Sequence, residues 1–108
     1  MKYKVVVVPP GGGEADHQVE VESPSVPQQG DYICLDRIDE SVGFFKVRYA
    51  LHMLKEPSSV REGQFLTDSI FVEVEPVDHP YNRGGYKDAV ERYRIRGCPI
   101  EEYPQSGY

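Results

Sequence analysis

A histidine next to acidic residues is the simplest arrangement in this sequence that could carry out proton transfer. His52 lies in a long alternating run, and Asp31 or Asp36 could approach it from a neighbouring strand. General base catalysis needs such a histidine to be oriented by a partner and to reach a substrate proton. No further residue of a catalytic set accompanies it. We therefore expect His52 to make a structural hydrogen bond, with a small site near His52 as the alternative.

A zinc site is the second kind of chemistry to consider. The residue types that could bind the metal are three histidines and one cysteine: His17, His52, His79 and Cys34. Their spacing matches none of the ligand sets of structural or catalytic zinc sites, and they fall on different predicted elements. The sequence predicts neither a metal site nor a cofactor.

Nucleophiles and paired carboxylates are present without the partners that catalysis requires. None of the serines Ser41, Ser58, Ser59 and Ser69 lies in a recognisable nucleophile turn. Two glutamate pairs occur at i and i+2, Glu20/Glu22 and Glu73/Glu75, and alternation places each pair on a solvent face. Cross-strand pairing of Glu73 and Glu75 with Lys46 and Arg48 explains them better than glycosidase chemistry does. We predict that the protein is not an enzyme.

Tyrosine and arginine concentrate near the C-terminus. Five of the eight tyrosines follow Pro80. Tyr and Arg dominate protein–protein hot spots, and they also stack on bases and bind phosphates. The plainest interpretation is that a short helix here only caps the domain; the alternatives are a surface for a protein partner or a second copy, and a surface for nucleic acid. The candidate partner-binding residues are Tyr81, Arg83, Tyr86, Arg92, Tyr93, Arg94, Arg96 and Tyr103.

Composition limits the class of protein. The 108 residues suit one domain, with 39% hydrophobic residues, nine prolines and ten glycines, which favours short strands joined by turns. The net charge of −6 argues against general binding to nucleic acid. Residues 1–80 carry seven basic against fourteen acidic residues (net −7), and residues 81–108 carry five against four (net +1).

Two features of the sequence bear on the cellular location. The longest apolar run near the N-terminus is four valines, too short for a signal-peptide core or a membrane span. Cys34 and Cys98 make no disulfide framework, and we expect Cys34 to pack as a small hydrophobic residue within a strand. The expectation is a cytoplasmic protein without membrane association.

Five alternating segments predict strands, at residues 1–8, 17–22, 31–36, 43–54 and 69–75. The first two should form a hairpin across the loop of residues 9–13, whose glycine run lacks the Lys-Ser/Thr ending of a phosphate-binding loop. Gly30-Asp31 should form the turn into the third strand. In the long fourth strand, alternation assigns one face to Phe45, Val47, Tyr49, Leu51 and Met53, and its length predicts a bend or bulge.

The spacing of turn and strand residues resembles a group of small, largely uncharacterised bacterial and phage proteins. The shared pattern is Pro27-x-x-Gly30-Asp31-x-Ile33-x-Leu35, Phe45-x-Val47 followed by His52, and Ile70-x-Val72-x-Val74-Glu75-Pro76. The resemblance covers residues 27–76 and implies a five-stranded SH3-like barrel in a prokaryotic or phage setting. It implies no activity.

After Pro80 the pattern becomes helical. Tyr86, Ala89, Val90 and Tyr93 are spaced i, i+3, i+4 and i+7, and Gly97 is placed to end the helix. The tail from Cys98 onward has no periodicity, which indicates either an extended arm or a disordered segment.

Together these patterns predict a mainly β domain, a compact five-stranded antiparallel SH3-like barrel over residues 1–80. A C-terminal helix and arm follow over residues 81–108. The predicted function is non-enzymatic binding of a protein partner or a second copy. A single-stranded nucleic-acid-binding barrel and a small ligand-binding protein or enzyme are the alternatives.

Overall fold

The computed structural model describes residues 1–36, 42–57, 63–78 and 83–98. Within these ranges the chain forms five strands and one helix. They are β1 (Lys2–Val7), β2 (His17–Glu22), β3 (Tyr32–Asp36), β4 (Val42–Lys55), β5 (Leu66–Pro76) and α1 (Arg83–Ile95). All five predicted strands and the predicted helix are confirmed. β5 and α1 each begin three residues earlier than their sequence patterns indicated.

The strands form one mixed sheet in the order β2-β1-β5-β4-β3, curled into a half-barrel. The predicted β1–β2 hairpin is confirmed, and β3, β4 and β5 form an antiparallel meander. The prediction of a purely antiparallel barrel is wrong, because β5 lies parallel to β1 in the centre of the sheet. The edge strands β2 and β3 have no ladder to each other within the described chain, so the sheet stays open there.

The hydrophobic core lies on the concave side of the sheet and follows from strand alternation. Val5 and Val7 of β1 lie beside Val72 and Val74 of β5, and all four are almost completely buried. Burying a valine side chain stabilises a fold by roughly 1.5–3 kcal/mol. The other buried members of this cluster are Tyr3, Phe45, Val47 and Ile70.

A bulge in β4 reverses the two faces of this strand halfway along it. Val47 is opposite Val74, but the next pair is Tyr49 opposite Glu73, so Arg48 is an additional residue in β4. The predicted bulge is therefore confirmed. Its consequence for the side chains contradicts simple alternation, because Ala50 now packs against the core.

The predicted faces are therefore wrong for the part of β4 that follows the bulge, residues 49–55. Tyr49, Leu51 and Met53 lie on the convex face, with exposed fractions of 47%, 46% and 44%. Cys34 of β3 is also exposed rather than packed in the core, and both it and Cys98 are free thiols.

Helix α1 packs against β4 and β5 with the face predicted from its spacing. Ala89, Val90 and Tyr93 are buried, and Tyr86 is half-buried. Gly97 caps the helix beyond its last residue, Ile95, with a φ of +76° that favours glycine. The N–H of Gly97 donates to Arg94 O and that of Cys98 to Tyr93 O, which is a Schellman motif.

Candidate functional site

Some of the tyrosine and arginine residues predicted to bind a partner (residues 81–103) instead pack α1 against the rest of the fold. The ring of Tyr93 is only 3% exposed, so it belongs to the packing of α1 and not to an open surface. Tyr86 is half-buried, whereas the residues Arg92, Arg94 and Arg96 are exposed. Arg83 is the first residue of α1, and Tyr81 and Tyr103 lie outside the described residues.

Arg96 connects the end of α1 to the loop between β1 and β2. Its Nη2 donates to Asp16 Oδ1 at 2.7 Å, and its guanidinium lies 5.2 Å from the ring centroid of Tyr93. His17 Nδ1 lies 2.7 Å from the other carboxylate oxygen of Asp16. Partial burial acts to raise the pKa of Asp16, but hydrogen bonds to Arg96 and His17 outweigh it and hold this pKa below its usual value.

The phenol of Tyr93 is the group most affected by this packing. Burial first, and then the negative charge of Asp16, raise the pKa of Tyr93 to about 12. Tyr93 therefore stays a neutral packing residue throughout the physiological pH range. This matches the interpretation of α1 as a cap for the sheet.

The bulge in β4 builds a polar cluster on the convex face. Because Arg48 and Tyr49 both lie opposite Glu73, each contacts one of its oxygens: Arg48 Nε donates to Oε2 and Tyr49 Oη to Oε1, both at 3.0 Å. Arg48 Nη1 donates to Glu75 Oε2 at 2.9 Å. The cross-strand pairing expected for Arg48 is thereby confirmed, but Glu75 is buried rather than facing solvent.

The glycine-rich loop closes over this cluster. Gly11 N–H donates to Glu75 Oε2 at 3.0 Å, so this oxygen accepts two hydrogen bonds. The carboxylates of Glu73 and Glu75 are thus both paired with the same guanidinium. The hydrogen bond to Glu73 also raises the pKa of Tyr49. The arrangement is that of a structural ion-pair network, since no nucleophile or free base is part of it.

His52 does not meet the carboxylates predicted to approach it. It is opposite Ile70, whereas the ladder between β3 and β4 ends with Tyr32 opposite Lys46. Asp31 instead accepts a hydrogen bond from Gln28 N–H within the confirmed turn before β3. Within the described ranges, no three potential metal ligands come together.

The distal half of β4 forms an open sheet edge. β3 begins with Tyr32 opposite Lys46, and the preceding residue, Asp31, accepts a hydrogen bond from Val47 N–H at 2.8 Å. From Tyr49 to Leu54, no other described strand pairs with the side of β4 that faces away from β5. We call this segment the open edge. Unpaired edges without proline or internal charge are sites where another strand can add.

The convex face of the open edge is apolar and continues onto β5. Leu51 is opposite Phe71, and the ammonium of Lys4 lies 5.8 Å from the centroid of the Phe71 ring. Leu54, Phe65 and Leu66 are exposed at the far end of the two strands. Sequence reasoning missed this surface, because strict alternation placed Leu51 on the same face as Phe45 and Val47, which are buried. One feature of the sequence could have revealed this surface: the fourth predicted strand is much longer than the third, so part of the fourth strand has no neighbour on that side.

No helix among the described residues is both long enough and apolar enough to span a membrane. Comparison with protein-family models, curated proteins and solved structures found no match for this chain.

Proposed function

We propose that this protein is a non-enzymatic binding module that recognises protein by adding an extended strand to the open edge of β4. The observation that carries the proposal is the edge from Tyr49 to Leu54, where no other described strand pairs with the outer side of β4 and where the convex side chains Tyr49, Leu51 and Met53 are nearly half exposed. In strand addition the main chain supplies affinity and alternate side chains supply specificity. This edge offers both.

Tyr49 is suited to be the anchor of such an interface. Its hydroxyl is already bonded to Glu73 at 3.0 Å, and its ring is 47% exposed. A tyrosine held in one orientation loses little conformational entropy on binding, and tyrosine is enriched in hot spots. Leu51 and Met53 extend the apolar contact from this fixed point.

The charge of the open edge and of the whole chain favours a protein over a nucleic acid as the partner. The open edge carries no ionisable side chain between Tyr49 and Leu54 except His52, and the whole chain has a net charge of −6. Nucleic-acid binding requires a basic surface that tracks phosphates. The C-terminal segment supports the proposal less strongly, because Tyr93 is buried and Arg96 is paired with Asp16. The SH3-like identity and a phage accessory role remain predictions from the resemblance.

Selection from a displayed library of random peptides tests the proposal, with the full chain immobilised at low density. We expect enriched peptides to alternate apolar residues and to lose at least about tenfold in affinity for the Leu51→Lys variant, which corresponds to about 1.4 kcal/mol. Leu66→Lys is the matched control, because Leu66 is similarly exposed (48%) but lies on β5. Peptides that bind the Leu51→Lys variant as well as the unmodified chain would overturn the proposal.

A further inference from the structure

We infer that residues 49–53 of β4 have two registers against β5, and that only the observed register presents the surface proposed to bind protein. In the second register this segment is shifted by one residue, which turns Tyr49, Leu51 and Met53 to the concave side. The inference rests on the proposed function and names how that binding is regulated, because the register of β4 decides whether the convex apolar face is exposed.

Two bulges, one in each strand, bound this segment. The first is Arg48 in β4. The second is Asp68 in β5, which lies between the partners of Met53 and Leu54. Because the two additional residues belong to opposite strands, their shifts cancel. The residue pairs before Arg48 and those after Met53 therefore share one register, and only the segment between the bulges departs from it.

A ladder without bulges joins the two ends of this segment directly. In that ladder Tyr49 lies opposite Val72 and Leu51 lies opposite Ile70, one residue away from their observed partners. A shift of one residue exchanges the two faces of a strand. β5 keeps its place in the sheet, since β1 pairs with it at residues 71–74. The strand that moves is therefore β4.

The far end of the two strands does not oppose this movement. Lys55 keeps Leu66 as its partner in both registers. Within the described chain, no third strand pairs with either residue. This end of the two strands therefore turns over together with the segment, without losing a ladder to another described strand.

Burial of apolar side chains favours the second register. In the observed register Leu51 and Met53 are nearly half exposed, while His52 is exposed on the concave side opposite Ile70, which is buried. Ala50 is only half-buried, so the concave side is not sealed at this level. The second register places Leu51 opposite Ile70 and removes apolar surface from water. The strict alternation of apolar residues along β4 fits this register.

Hydrogen bonding favours the observed register. Tyr49 Oη donates to Glu73 Oε1 at 3.0 Å, and this bond forms only while the two side chains share the convex face. Arg48 does not distinguish the registers, because it lies beside Glu73 on the convex face in both. A hydrogen bond to a carboxylate and the burial of an apolar side chain are of similar size. A peptide bound to the convex face therefore shifts the balance towards the observed register.

Cysteine pairs that share Ser69→Cys report the two registers, in the full chain with Cys34→Ser and Cys98→Ser. Met53→Cys lies opposite residue 69 in the observed register, and His52→Cys lies opposite it in the second. In a glutathione buffer we expect both pairs to form a disulfide, with the His52→Cys pair linking more slowly. All of the chain should finally carry this link, because the disulfide traps the second register.

A pair at the far end of the two strands is the control for local fraying. Lys55→Cys and Thr67→Cys are one residue out of register in both arrangements, so this pair should not link. A His52→Cys/Ser69→Cys chain that stays reduced, or that links no faster than this control, would overturn the inference.

The tyrosine hydroxyl sets the balance between the registers. In the His52→Cys/Ser69→Cys chain, Tyr49→Phe should accelerate linking about threefold or more, because it removes the hydrogen bond that only the observed register makes. Tyr32→Phe is the matched control, since Tyr32 is similarly exposed (45%) but lies on β3. Equal rates for the two phenylalanine variants would contradict the inference.

Peptide binding connects the register to the proposed function. The chain linked between residues 52 and 69 should bind the selected peptides at least about tenfold more weakly than the same chain after reduction, and the peptides should slow the formation of the link. Equal affinity before and after reduction would refute regulation by the register. Absence of the link ends this inference alone. Peptide binding insensitive to Leu51→Lys ends the proposed function, whereas linking measures the two registers without any peptide.

Discussion

The guanidinium of Arg48 lies 2.9 Å from the carboxylate of Glu75, and this pair connects the β4 bulge to the glycine-rich loop. Glu75 is only 7% exposed, yet the same oxygen also accepts the N–H of Gly11 at 3.0 Å. The bulge is what orients Arg48 towards both Glu73 and Glu75. One additional residue in a strand thereby fixes a loop, a buried carboxylate and the start of the open edge.

Removing the cation from this network should destabilise the fold strongly. Arg48→Met keeps the aliphatic stem but leaves the buried Glu75 without its cation, and we expect a loss of about 2–4 kcal/mol in the free energy of unfolding at neutral pH. Urea unfolding followed by circular dichroism measures it. Lys46→Met, at an exposed cation of the same strand, should cost less than about 1 kcal/mol. Equal effects of the two variants would show that the Arg48–Glu75 contact contributes nothing specific.

The close approach of Gly12 to Arg48 predicts a difference between two neighbouring glycines. Gly12 and Gly13 have φ values of +99° and +125°, so alanine is strained at both. Only at Gly12 would the added Cβ lie 2.9 Å from Arg48 Nη2, and at Gly13 its nearest neighbour is Pro9 Cδ at 4.0 Å. Because two carboxylates hold the guanidinium in place, Gly12→Ala should be less stable than Gly13→Ala by about 1 kcal/mol.

The same comparison in the Arg48→Met background provides the control. With the guanidinium absent, the additional cost of Gly12→Ala should disappear, since only the backbone strain common to both positions is left. A Gly12→Ala effect that persists unchanged in this background would place its origin elsewhere in the loop. Thermal unfolding of the four variants is sufficient to decide.

Tyr93 should be essential for the docking of α1. Tyr93→Ala removes a ring that is 3% exposed, and we expect a loss of about 3 kcal/mol together with faster hydrogen exchange of the α1 amides. Ile95→Ala is the matched control on the same helix, because Ile95 is 77% exposed, and it should change neither quantity appreciably. Unchanged α1 protection in Tyr93→Ala would mean that the helix does not depend on this ring.

The stability contributed by Asp16 should depend on pH in a defined direction. The pKa of Asp16 is lowered in the folded protein, so its contribution is fully present above the usual value of 3.8 and is lost as the pH falls through the lower, folded pKa. Asp16→Asn should therefore be less stable than the unmodified chain at pH 7, and the difference should vanish under strongly acidic conditions. Asp88→Asn, on the exposed side of α1, is the matched control at pH 7, where it should change the stability less than Asp16→Asn does. A difference that grows on acidification would contradict the assignment.

The elements were predictable because each depends on a local pattern. Alternation identified the inward faces of β1 (Val5 and Val7) and of β5 (Val72 and Val74), and the helical spacing identified Ala89, Val90 and Tyr93. The candidate site was less predictable. Its residues were chosen because the C-terminal segment is rich in tyrosine and arginine, but Tyr93 of this segment is buried in the packing of α1. The face of Leu51 depended on one bulge, whose position no local pattern specifies.

The sequence by itself determined the strands, the helix and its glycine cap, and the need for an irregularity in β4, because these follow from side-chain period and backbone preference. Tertiary structure alone decided that β5 lies parallel to β1, that Glu75 is buried, and that Leu51 faces outward. These features depend on which segments meet across long sequence separations and on where one additional residue shifts the register. They are also the features on which the open edge, and the proposed binding function, depend.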